Sequence, residues 1–413
     1  MSRRVLLVCY YFPPLGLGGV GRPLNLFKRL PGHGWQCDVL TVKPVVYRAY
    51  EPELLRGLDP SRIYRSGSYD PQRMLYLLGL RKVKASTISQ AKPVSEKFFP
   101  DSKVGWTGPA IRLGSRLCRQ NHYDAIISTL PPISSHLIGK ELARRFQLPW
   151  VADFRDFWTI YKAEEVYGDE RRRLKARMLL DEIKVGAAAV TAVNPSIVEY
   201  LGAGETLTNG YDPALAERWR TPPSKEVFTV GLLGHQHDTR EIEPLLQLLE
   251  LVKKRDPEHP GRIRLLQVGQ IDVDWFRDLL RVHRLDVQVE LHRQQTRADT
   301  IRILSQAHVF FLGISDKEGP GFLPGRTFEL IASGRPLFVY ARPDSEIARV
   351  VEPCGNACRF HADSYERAVD SFLSQIQAFD SGSYHYTPLS DYARQFSGDK
   401  LAERFAQLLD RLI

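Results

Sequence analysis

The sequence predicts an α/β protein with two doubly wound, Rossmann-like domains that face a central cleft. Three observations support this fold class: short apolar runs typical of buried parallel strands, helical stretches between those runs, and a second series of the same alternation from Phe228 onward. Alternating strands and helices indicate a parallel sheet that is covered on both faces. A chain of 413 residues is long enough for two such domains, each with its own core.

The first series opens with Val5–Tyr11, an apolar run followed by prolines and glycines. This run predicts a buried first strand and not a signal peptide, because it is short and has no small-residue cleavage site. Further strands are predicted at Cys37–Val42, Ala125–Thr129, Trp150–Ala152 and Ala188–Val193, with helices at Ile133–Phe146 and Glu170–Gly186.

The second series has strands predicted at Phe228–Leu233, Ile263–Val268, Val287–Leu291, Val309–Leu312 and Leu337–Tyr340. Helices are predicted at Pro244–Lys254 and Thr300–Ser305. The last stretch, Lys400–Ile413, has its leucines and a phenylalanine on one face, which predicts an amphipathic helix.

Charge is distributed unevenly along the chain. Residues 1–200 carry 31 Lys and Arg against 18 Asp and Glu, whereas the remainder carries 26 against 30. This asymmetry indicates an anionic partner for the N-terminal half, or simply a basic, solvated face. Apolar and basic side chains alternate in residues 69–106. This composition suits either a segment that lies on a membrane interface or an ordinary surface segment that packs on the N-terminal domain. Motifs typical of nucleic-acid binding are not found, so no nucleic-acid partner is expected.

Glycines follow the first strand in the pattern Gly16-Leu-Gly18-Gly19-Val-Gly21, which matches the dinucleotide fingerprint GxGxxG. The intervening loop is too long for the tight turn of that fingerprint, and the second strand ends without an acidic residue for a ribose. A dinucleotide cofactor is therefore not expected. The glycines still allow backbone N–H groups to approach a phosphate at the start of a helix. The alternative is a purely structural turn.

The segment Pro324–Pro336 joins a Gly- and Pro-containing loop to a short helix that begins near Arg326. N–H groups at a helix start suit an anion, and Arg326 adds a guanidinium. Glu329 follows one turn later in an apolar run, where it either accepts hydrogen bonds from ligand hydroxyls or ties the helix internally. Asp272 and Asp274 precede another helix and are expected to cap it, so no metal site is predicted.

Several segments lie in an order and register that extend over essentially the whole chain. They are Tyr10-Tyr-Phe-Pro-Pro with Gly18-Gly19, Ser128-Thr-Leu-Pro-Pro, Val151-Ala-Asp-Phe-Arg-Asp156-Phe-Trp158, Thr208-Asn-Gly-Tyr-Asp212, Gly231–Gly234 and the Glu329 segment. Together they resemble the family-4 retaining glycosyltransferases of GT-B fold, in the branch found in bacterial surface-polysaccharide clusters. The resemblance implies an acceptor-binding domain at 1–205, completed by a helix at 398–413 that crosses back to it, and a nucleotide-sugar domain at 206–397.

The resemblance also implies where the donor binds. Glu329 matches the second glutamate of the family's E-x7-E motif, which contacts the nucleotide ribose, and Arg326 would lie beside the diphosphate. Arg240 approximately matches the basic residue that neutralises the departing diphosphate. The predicted donor-binding residues are Gly18, Gly19, Gly234, His235, Arg240, Gly325, Arg326, Thr327 and Glu329.

The chain departs from the family pattern at two positions. The first E-x7-E glutamate should fall at Gly321, and the nearby Glu318 is the candidate replacement for contacts with sugar hydroxyls. Arg155 stands where many members carry a histidine, so sugar recognition or proton handling is expected to differ.

The acceptor is expected to contact the segment after the strand that begins at Trp150. The candidate acceptor-binding residues are Asp153, Arg155, Asp156 and Trp158. The alternative for the two aspartates is a capped strand end and an ion pair with Arg155.

These assignments predict a retaining glycosyltransferase that moves a sugar from a UDP- or GDP-linked donor to a saccharide or lipid-linked acceptor in surface-polysaccharide or glycoconjugate synthesis. The catalytic candidates are Arg240, Arg326, Glu318, Asp153 and Asp156, the arginines stabilising the charge of the departing diphosphate. No cofactor besides the donor is expected. Without an apolar run long enough for a bilayer, the protein is expected in the cytoplasm, with peripheral contact to the inner face of the membrane. A sugar-nucleotide epimerase and a non-catalytic nucleotide-sugar-binding subunit stay open as alternatives.

Overall fold

The computed structural model divides into two compact units. The N-terminal domain comprises Met1–Asn209 together with Gly398–Ile413, and the C-terminal domain comprises Gly210–Ser397. The structure describes residues 3–16, 18–44, 50–79, 98–157, 169–220, 223, 225–234, 239–257, 262–386 and 388–413. Each domain is built around a parallel sheet and is described by itself.

In its described residues, the N-terminal domain has a seven-stranded parallel sheet of order β3-β2-β1-β4-β5-β6-β7. The strands are β1 Arg3–Val8, β2 Trp35–Val42, β3 Ile63–Ser66, β4 Ala125–Thr129, β5 Trp150–Phe154, β6 Ala189–Ala192 and β7 Glu205–Thr206. The strand order reverses between β1 and β4. Ligands of such sheets bind outside the carboxyl ends of the strands at this switch point, so the loops after β1 and β4 are the ones to inspect.

Helices flank this sheet. They are α1 Gly21–Arg29, α2 Pro71–Leu77, α3 Thr107–Gln120, α4 Ser134–Phe146, α5 Glu170–Gly186, α6 Pro195–Leu201 and the C-terminal helix Gly398–Asp410. Leu401, Phe405 and Leu409 of the C-terminal helix belong to the buried cluster that also contains Val5 and Leu7 of β1. The end of the chain therefore completes the core of the domain that contains its beginning.

The C-terminal domain has a six-stranded parallel sheet of order β10-β9-β8-β11-β12-β13 within its described part. The strands are β8 Phe228–Leu233, β9 Ile263–Val268, β10 Gln288–His292, β11 Val309–Gly313, β12 Leu337–Tyr340 and β13 Ala357–Phe360. The helices are α7 Pro213–Ala216, α8 Thr239–Arg255, α9 Val273–Val282, α10 Arg297–Leu304, α11 Arg326–Ala332, α12 Glu346–Val351, α13 Tyr365–Asp380 and α14 Asp391–Arg394. The order reverses between β8 and β11, which sets the switch point here.

Alternate residues of the strands pack into cores on opposite faces of each sheet. In β1, Leu6 and Val8 belong to one buried cluster, and Val5 and Leu7 belong to another. Burial on both faces is the reason that these strands appear in the sequence as continuous apolar runs. The predicted class of two doubly wound α/β domains is confirmed.

The structure differs from the prediction in several elements. Three edge or near-edge strands were not predicted: β3, β7 and β13. Helix α8 begins at Thr239, five residues before the predicted start at Pro244, and it contains that proline. Asp272 caps α9 as predicted, its carboxylate accepting from the N–H groups of Asp274 and Trp275.

The basic and apolar segment 69–106 is described in part. Helix α2 and a 3-10 turn at Val104–Trp106 belong to it, whereas residues 80–97 lie outside the described residues. Tyr69, Leu77 and Leu78 are 64%, 61% and 64% exposed. Across the described ranges, no helix is both long and apolar enough to cross a membrane.

Candidate functional site

The switch point of the C-terminal sheet brings together two predicted donor residues, Gly234 and Arg326. Gly234 directly follows β8, and Arg326 begins α11. The φ angle of Gly234 is +100°, and a Cβ atom at this position would lie 2.5 Å from Nη1 of Arg326. The guanidinium therefore occupies the space that a side chain at position 234 would fill and would have to move for it, while the positive φ angle itself favours glycine.

Gln267, near the end of β9, contacts the same glycine. Its Nε2 donates to the carbonyl oxygen of Gly234 over 2.6 Å. Gly269 packs so closely that a Cβ there would lie 2.1 Å from the same oxygen. Sequence analysis missed Gln267. The available signal was a buried amide in the mostly apolar run Ile263–Val268.

Three buried polar atoms at this edge have no hydrogen-bond partner among the described residues. They are Nε of Arg326, Oγ1 of Thr327 and Oε1 of Gln267. Leaving such an atom unpaired costs about 1–3 kcal/mol, so buried polar atoms are almost always satisfied. A charged donor, a hydroxyl and an amide oxygen at the carboxyl edge of one sheet form a set that can bind a phosphate ester with hydroxyl groups. Burial lowers the pKa of Arg326, with the Glu241 carboxylate opposing that shift.

Glu329 lies one turn into α11 and is half-buried. Its Oε1 accepts from Nη2 of Arg297 over 2.8 Å, and both side chains are 30% exposed. Arg297 is the first residue of α10 and was not predicted. The carboxylate thus ties two helices together.

The other predicted donor residues of this domain lie in the first turn of a helix, just before a helix, or outside the described residues. Arg240 is exposed in the first turn of α8, and Gly325 is exposed just before α11. Glu318 is half-buried in the 3-10 turn Asp316–Glu318 that follows β11. Gly321 is buried, and His235 lies outside the described residues.

A cavity of about 620 Å³ lies at the far end of α11, where Ser333 and Gly334 line it together with Tyr386 and Arg394. None of the predicted donor residues that the structure describes lines it. The candidate site therefore rests on the chemistry of the carboxyl edge and not on the volume of this cavity.

The N-terminal switch point is organised by Arg155, the first residue after β5. Its Nε donates to the carbonyl of Leu130 and its Nη1 to the carbonyl of Gly19, each over 2.6 Å. Leu130 follows β4, and Gly19 belongs to the 3-10 turn Gly18–Val20 that leads into α1. One side chain therefore joins the loops after β1, β4 and β5. Burial lowers the pKa of Arg155, whereas Asp153 and Asp156 favour its charged form.

Asp153 is buried at the end of β5 in a closed network. Arg22 donates Nε and Nη2 to its two oxygens over 2.9 and 2.7 Å. The hydroxyls of Thr129 and Thr191 donate over 2.7 and 2.8 Å. Burial alone would raise the pKa of Asp153, but the Arg22 charge and these hydrogen bonds outweigh it and lower the pKa. Its ion-pair partner is Arg22 and not Arg155, and its oxygens already accept four hydrogen bonds.

The remaining acceptor candidates divide between described and undescribed residues. Asp156 is exposed, and Trp158 lies outside the described residues. The Ser128 hydroxyl accepts from Nε1 of Trp150 and shares a second hydrogen bond with Nδ1 of His136, both over 2.7 Å. Burial lowers the pKa of His136 to about 3, which favours the neutral imidazole.

No protein-family model and no curated protein matches the sequence. Solved structures match over almost the full length. Sucrose-phosphate synthase from Thermosynechococcus elongatus is 17% identical with a TM-score of 0.62, and the alignment covers 99% of each chain. Anabaena HepE in complex with UDP and glucose is 13% identical with a TM-score of 0.60, covering 99% of this chain and 100% of that one.

A protein assigned as a UDP-N-acetylglucosamine 2-epimerase from Listeria monocytogenes is also similar. It is 11% identical with a TM-score of 0.57, covering 98% of this chain and 95% of that one. Identities this low show the fold alone. The chain has the two-domain GT-B fold, and its chemistry has to be argued from its own residues.

Proposed function

We propose that this protein is a glycosyltransferase that uses a nucleoside-diphosphate sugar and belongs to the retaining family 4. The observation that carries the proposal is the cradle around Gly234, where Arg326, Thr327 and Gln267 each bury a polar atom without a described partner. HepE, which shares the fold, was solved with UDP-glucose and with UDP and glucose. A diphosphate beside Arg326 would accept hydrogen bonds from Nε of Arg326 and from the Thr327 hydroxyl, whereas a hydroxyl group of the ligand would have to donate to Oε1 of Gln267.

In the proposed reaction, the bond between the anomeric carbon and the diphosphate oxygen breaks, and the acceptor oxygen bonds to that carbon on the same face. The diphosphate leaves with the electron pair, and one of its oxygens takes the acceptor proton. Arg326, Thr327 and Arg240 stabilise the negative charge that develops on the leaving group. Glu329 accepts from the ribose hydroxyls, Glu318 from the sugar, and the N–H groups at Gly18 and Gly19 contact the phosphates.

The acceptor is proposed to bind the N-terminal domain. Asp156, which is exposed, and Trp158 are the proposed contacts. Asp153 is proposed to act indirectly, because its oxygens are engaged by Arg22 and two threonines. A saccharide or lipid-linked acceptor from surface-polysaccharide or glycoconjugate synthesis is the proposed class.

Turnover tests the proposal. The protein is incubated with UDP- and GDP-linked hexoses, with and without saccharide acceptors, and release of nucleoside diphosphate is followed together with the anomeric configuration of the product by NMR. Acceptor-dependent, repeated release with retained configuration is expected. Inverted product would exclude retention, and release that never exceeds one equivalent would favour a non-catalytic binding subunit.

An epimerase is the second candidate, and the fold shared with the Listeria protein favours it. Such an enzyme would convert the donor sugar without any acceptor. Sugar analysis after incubation with donor alone separates the two candidates, because only the epimerase changes the sugar under that condition.

Peripheral membrane contact is proposed at helix α2, where Tyr69, Leu77 and Leu78 expose an apolar surface in the strongly basic half of the chain. Cosedimentation with phosphatidylglycerol vesicles should exceed that with phosphatidylcholine vesicles. The double variant Leu77→Ser/Leu78→Ser should lose this binding, whereas Val185→Ser, at an exposed position of α5, should keep it. Equal sedimentation of all proteins would contradict the assignment.

A further inference from the structure

The half-buried carboxylate of Glu329 is held by an arginine of another helix. Nη2 of Arg297 donates to its Oε1 over 2.8 Å, and among the described residues the carboxylate makes no other hydrogen bond. Each of the two side chains is 30% exposed, so a ligand can reach the pair. One carboxylate oxygen is therefore engaged, and Oε2 is left to water or to a hydrogen-bond donor of a ligand.

Both residues lie where helices begin at the carboxyl edge of the C-terminal sheet. Arg297 is the first residue of α10, which follows β10, and Glu329 lies in the first turn of α11, which follows β11. Ile301 of α10 and Phe328 of α11 belong to one buried cluster, so the two helices share a core. Arg326 and Glu329 are three residues apart, which makes them neighbours on one side of α11. A ligand phosphate at Arg326 would therefore lie about one helical turn from the carboxylate.

An arginine is electrostatically unfavourable at the position of Arg297. The N–H groups at the start of a helix carry partial positive charge, so a cation in the first turn is disfavoured. The acidic residue that suits this turn, Asp299, pairs with Arg302 of the same helix. The stability of α10 therefore gives no reason for an arginine at its first position, whereas the carboxylate of Glu329 does.

The ion pair restricts a torsion that glutamate otherwise leaves free. Rotation about the last side-chain bond of glutamate has a broad profile, so an unpaired carboxylate turns its oxygens in many directions. A charge-assisted hydrogen bond to Oε1 of Glu329 restricts the carboxylate plane and with it the direction of Oε2. Because the carboxylate is oriented before a ligand hydroxyl arrives, ordering it does not weaken binding.

We propose that Arg297 is a positioning residue that orients the Glu329 carboxylate toward the ribose hydroxyls of the nucleotide, an inference that rests on the proposed function. Arg297 touches neither the nucleotide nor the sugar in this role. An ionised carboxylate can only accept hydrogen bonds, so the site should favour a ribonucleotide over an analogue without ribose hydroxyls. Arg297 thus acts on the choice of nucleotide, whereas Arg326 acts on the binding of its diphosphate.

The test is titration calorimetry with the nucleoside diphosphate, UDP or GDP, that wild type binds and with its 2′,3′-dideoxy analogue. Wild type should bind the ribonucleotide about ten- to hundredfold more tightly than the analogue. Arg297→Met should lower this ratio about two- to tenfold and leave the affinity for the analogue unchanged. Arg297→Lys should keep part of the preference. Arg302→Met, on the same helix, should keep all of it, and thermal unfolding checks that each variant is folded.

A double variant separates an action through Glu329 from a direct contact of Arg297 with the ligand. Glu329→Ala alone should remove the preference for the ribonucleotide. If Arg297 acts through the carboxylate, adding Arg297→Met to Glu329→Ala should change neither affinity further.

Three outcomes would overturn the inference while leaving the proposed function standing. One is an unchanged ratio of affinities in Arg297→Met, which would make its ion pair purely structural. Another is an equal weakening of both ligands in Arg297→Met, which would place the arginine on the nucleotide itself. The third is a wild type that binds the diphosphate without distinguishing the analogue, which would remove the ribose contact of Glu329. If folded wild type binds neither UDP nor GDP, the proposed function fails, and this inference fails with it.

Discussion

Both sheets have an arginine at their switch point, and the two domains use it differently. In the N-terminal domain, Arg155 donates to two carbonyls, and Asp153 is surrounded by groups that satisfy it. In the C-terminal domain, polar atoms of Arg326, Thr327 and Gln267 are buried without partners among the described residues. Buried polar groups that hydrogen-bond to one another hold the structure in one arrangement. Buried polar groups without a hydrogen-bond partner mark a place where a ligand can supply one. The comparison is between two sites: the oxygens of Asp153 are satisfied within the protein, whereas the polar atoms around Arg326 lack partners among the described residues.

The largest expected effect on the free energy of unfolding is in the hydrogen-bond network around Asp153. Asp153→Asn leaves the Arg22 charge buried without its counter-ion, so unfolding of the N-terminal domain should become easier by about 3–5 kcal/mol. Urea denaturation measures this effect. Asp156→Asn, at an exposed position three residues further along the chain, should change stability little. A stable Asp153→Asn protein with a raised acceptor KM would instead give Asp153 a direct role.

Acid should destabilise the same domain. Burial lowers the pKa of His136 to about 3 from 6.5, so between these values the unfolded chain binds a proton that the folded chain does not. Stability should then fall as pH drops below 6.5, by up to ~1.4 kcal/mol per pH unit. The lowered pKa of Asp153 adds a contribution that is present above its unfolded pKa of about 3.9 and is lost below it. His136→Gln should flatten the profile above pH ~4, and an unaltered slope would contradict this account.

A matched pair of threonines contrasts the two edges. Thr129 donates to Asp153, so Thr129→Val should destabilise by about 1–3 kcal/mol. Thr327 buries a hydroxyl without a described partner, so Thr327→Val should be neutral or stabilising. Calorimetric unfolding of both variants without ligand measures the difference. Equal losses would show that Thr327 is satisfied within the protein.

The smallest effect on stability is expected at Gly19, and Gly234 provides the contrast to it. Gly234→Ala should displace Arg326 and strain a backbone at φ +100°, costing about 1–3 kcal/mol. In Gly19→Ala the new methyl group meets only ordinary contacts, so the melting temperature should stay close to that of wild type. Binding of the nucleotide-sugar donor should weaken if an anion approaches this turn. Unfolding curves and donor KM for both variants are the measurement. A severe loss of stability in Gly19→Ala would mean that the turn needs glycine for its own fold.

The sequence predicted the buried strands and missed those with little burial. Runs such as Phe228–Leu233 were located to the residue because both faces of these strands are apolar. Ile63–Ser66 and Ala357–Phe360 lie at sheet edges, are mostly half-buried and contain an arginine each. The predicted start of helix α8, at Pro244, is five residues too late. Proline is favoured in the first turn of a helix, but this helix contains Pro244 in its interior.

Local sequence patterns predicted which residues are candidates for the site, but not which other residues they contact. The glycine turn, Arg326 and Glu329 were identified from local pattern. Arg22 and Asp153 are 131 residues apart, and nothing in either segment specifies that they meet. The pairing depends on the strand order of the folded sheet, so the sequence offered the neighbouring Arg155 as an alternative ion-pair partner and did not indicate Arg22.

The central claim, that the edge around Gly234 binds a nucleoside diphosphate, is tested most directly by titration calorimetry with UDP and GDP. Wild type and Arg302→Met, an exposed control on α10, should bind one of them equally well. Arg326→Met should bind it at least ~tenfold more weakly, through loss of charge-assisted hydrogen bonds, without losing stability. Equal affinity in wild type and Arg326→Met, or no binding of either nucleotide by folded wild type, would contradict the account.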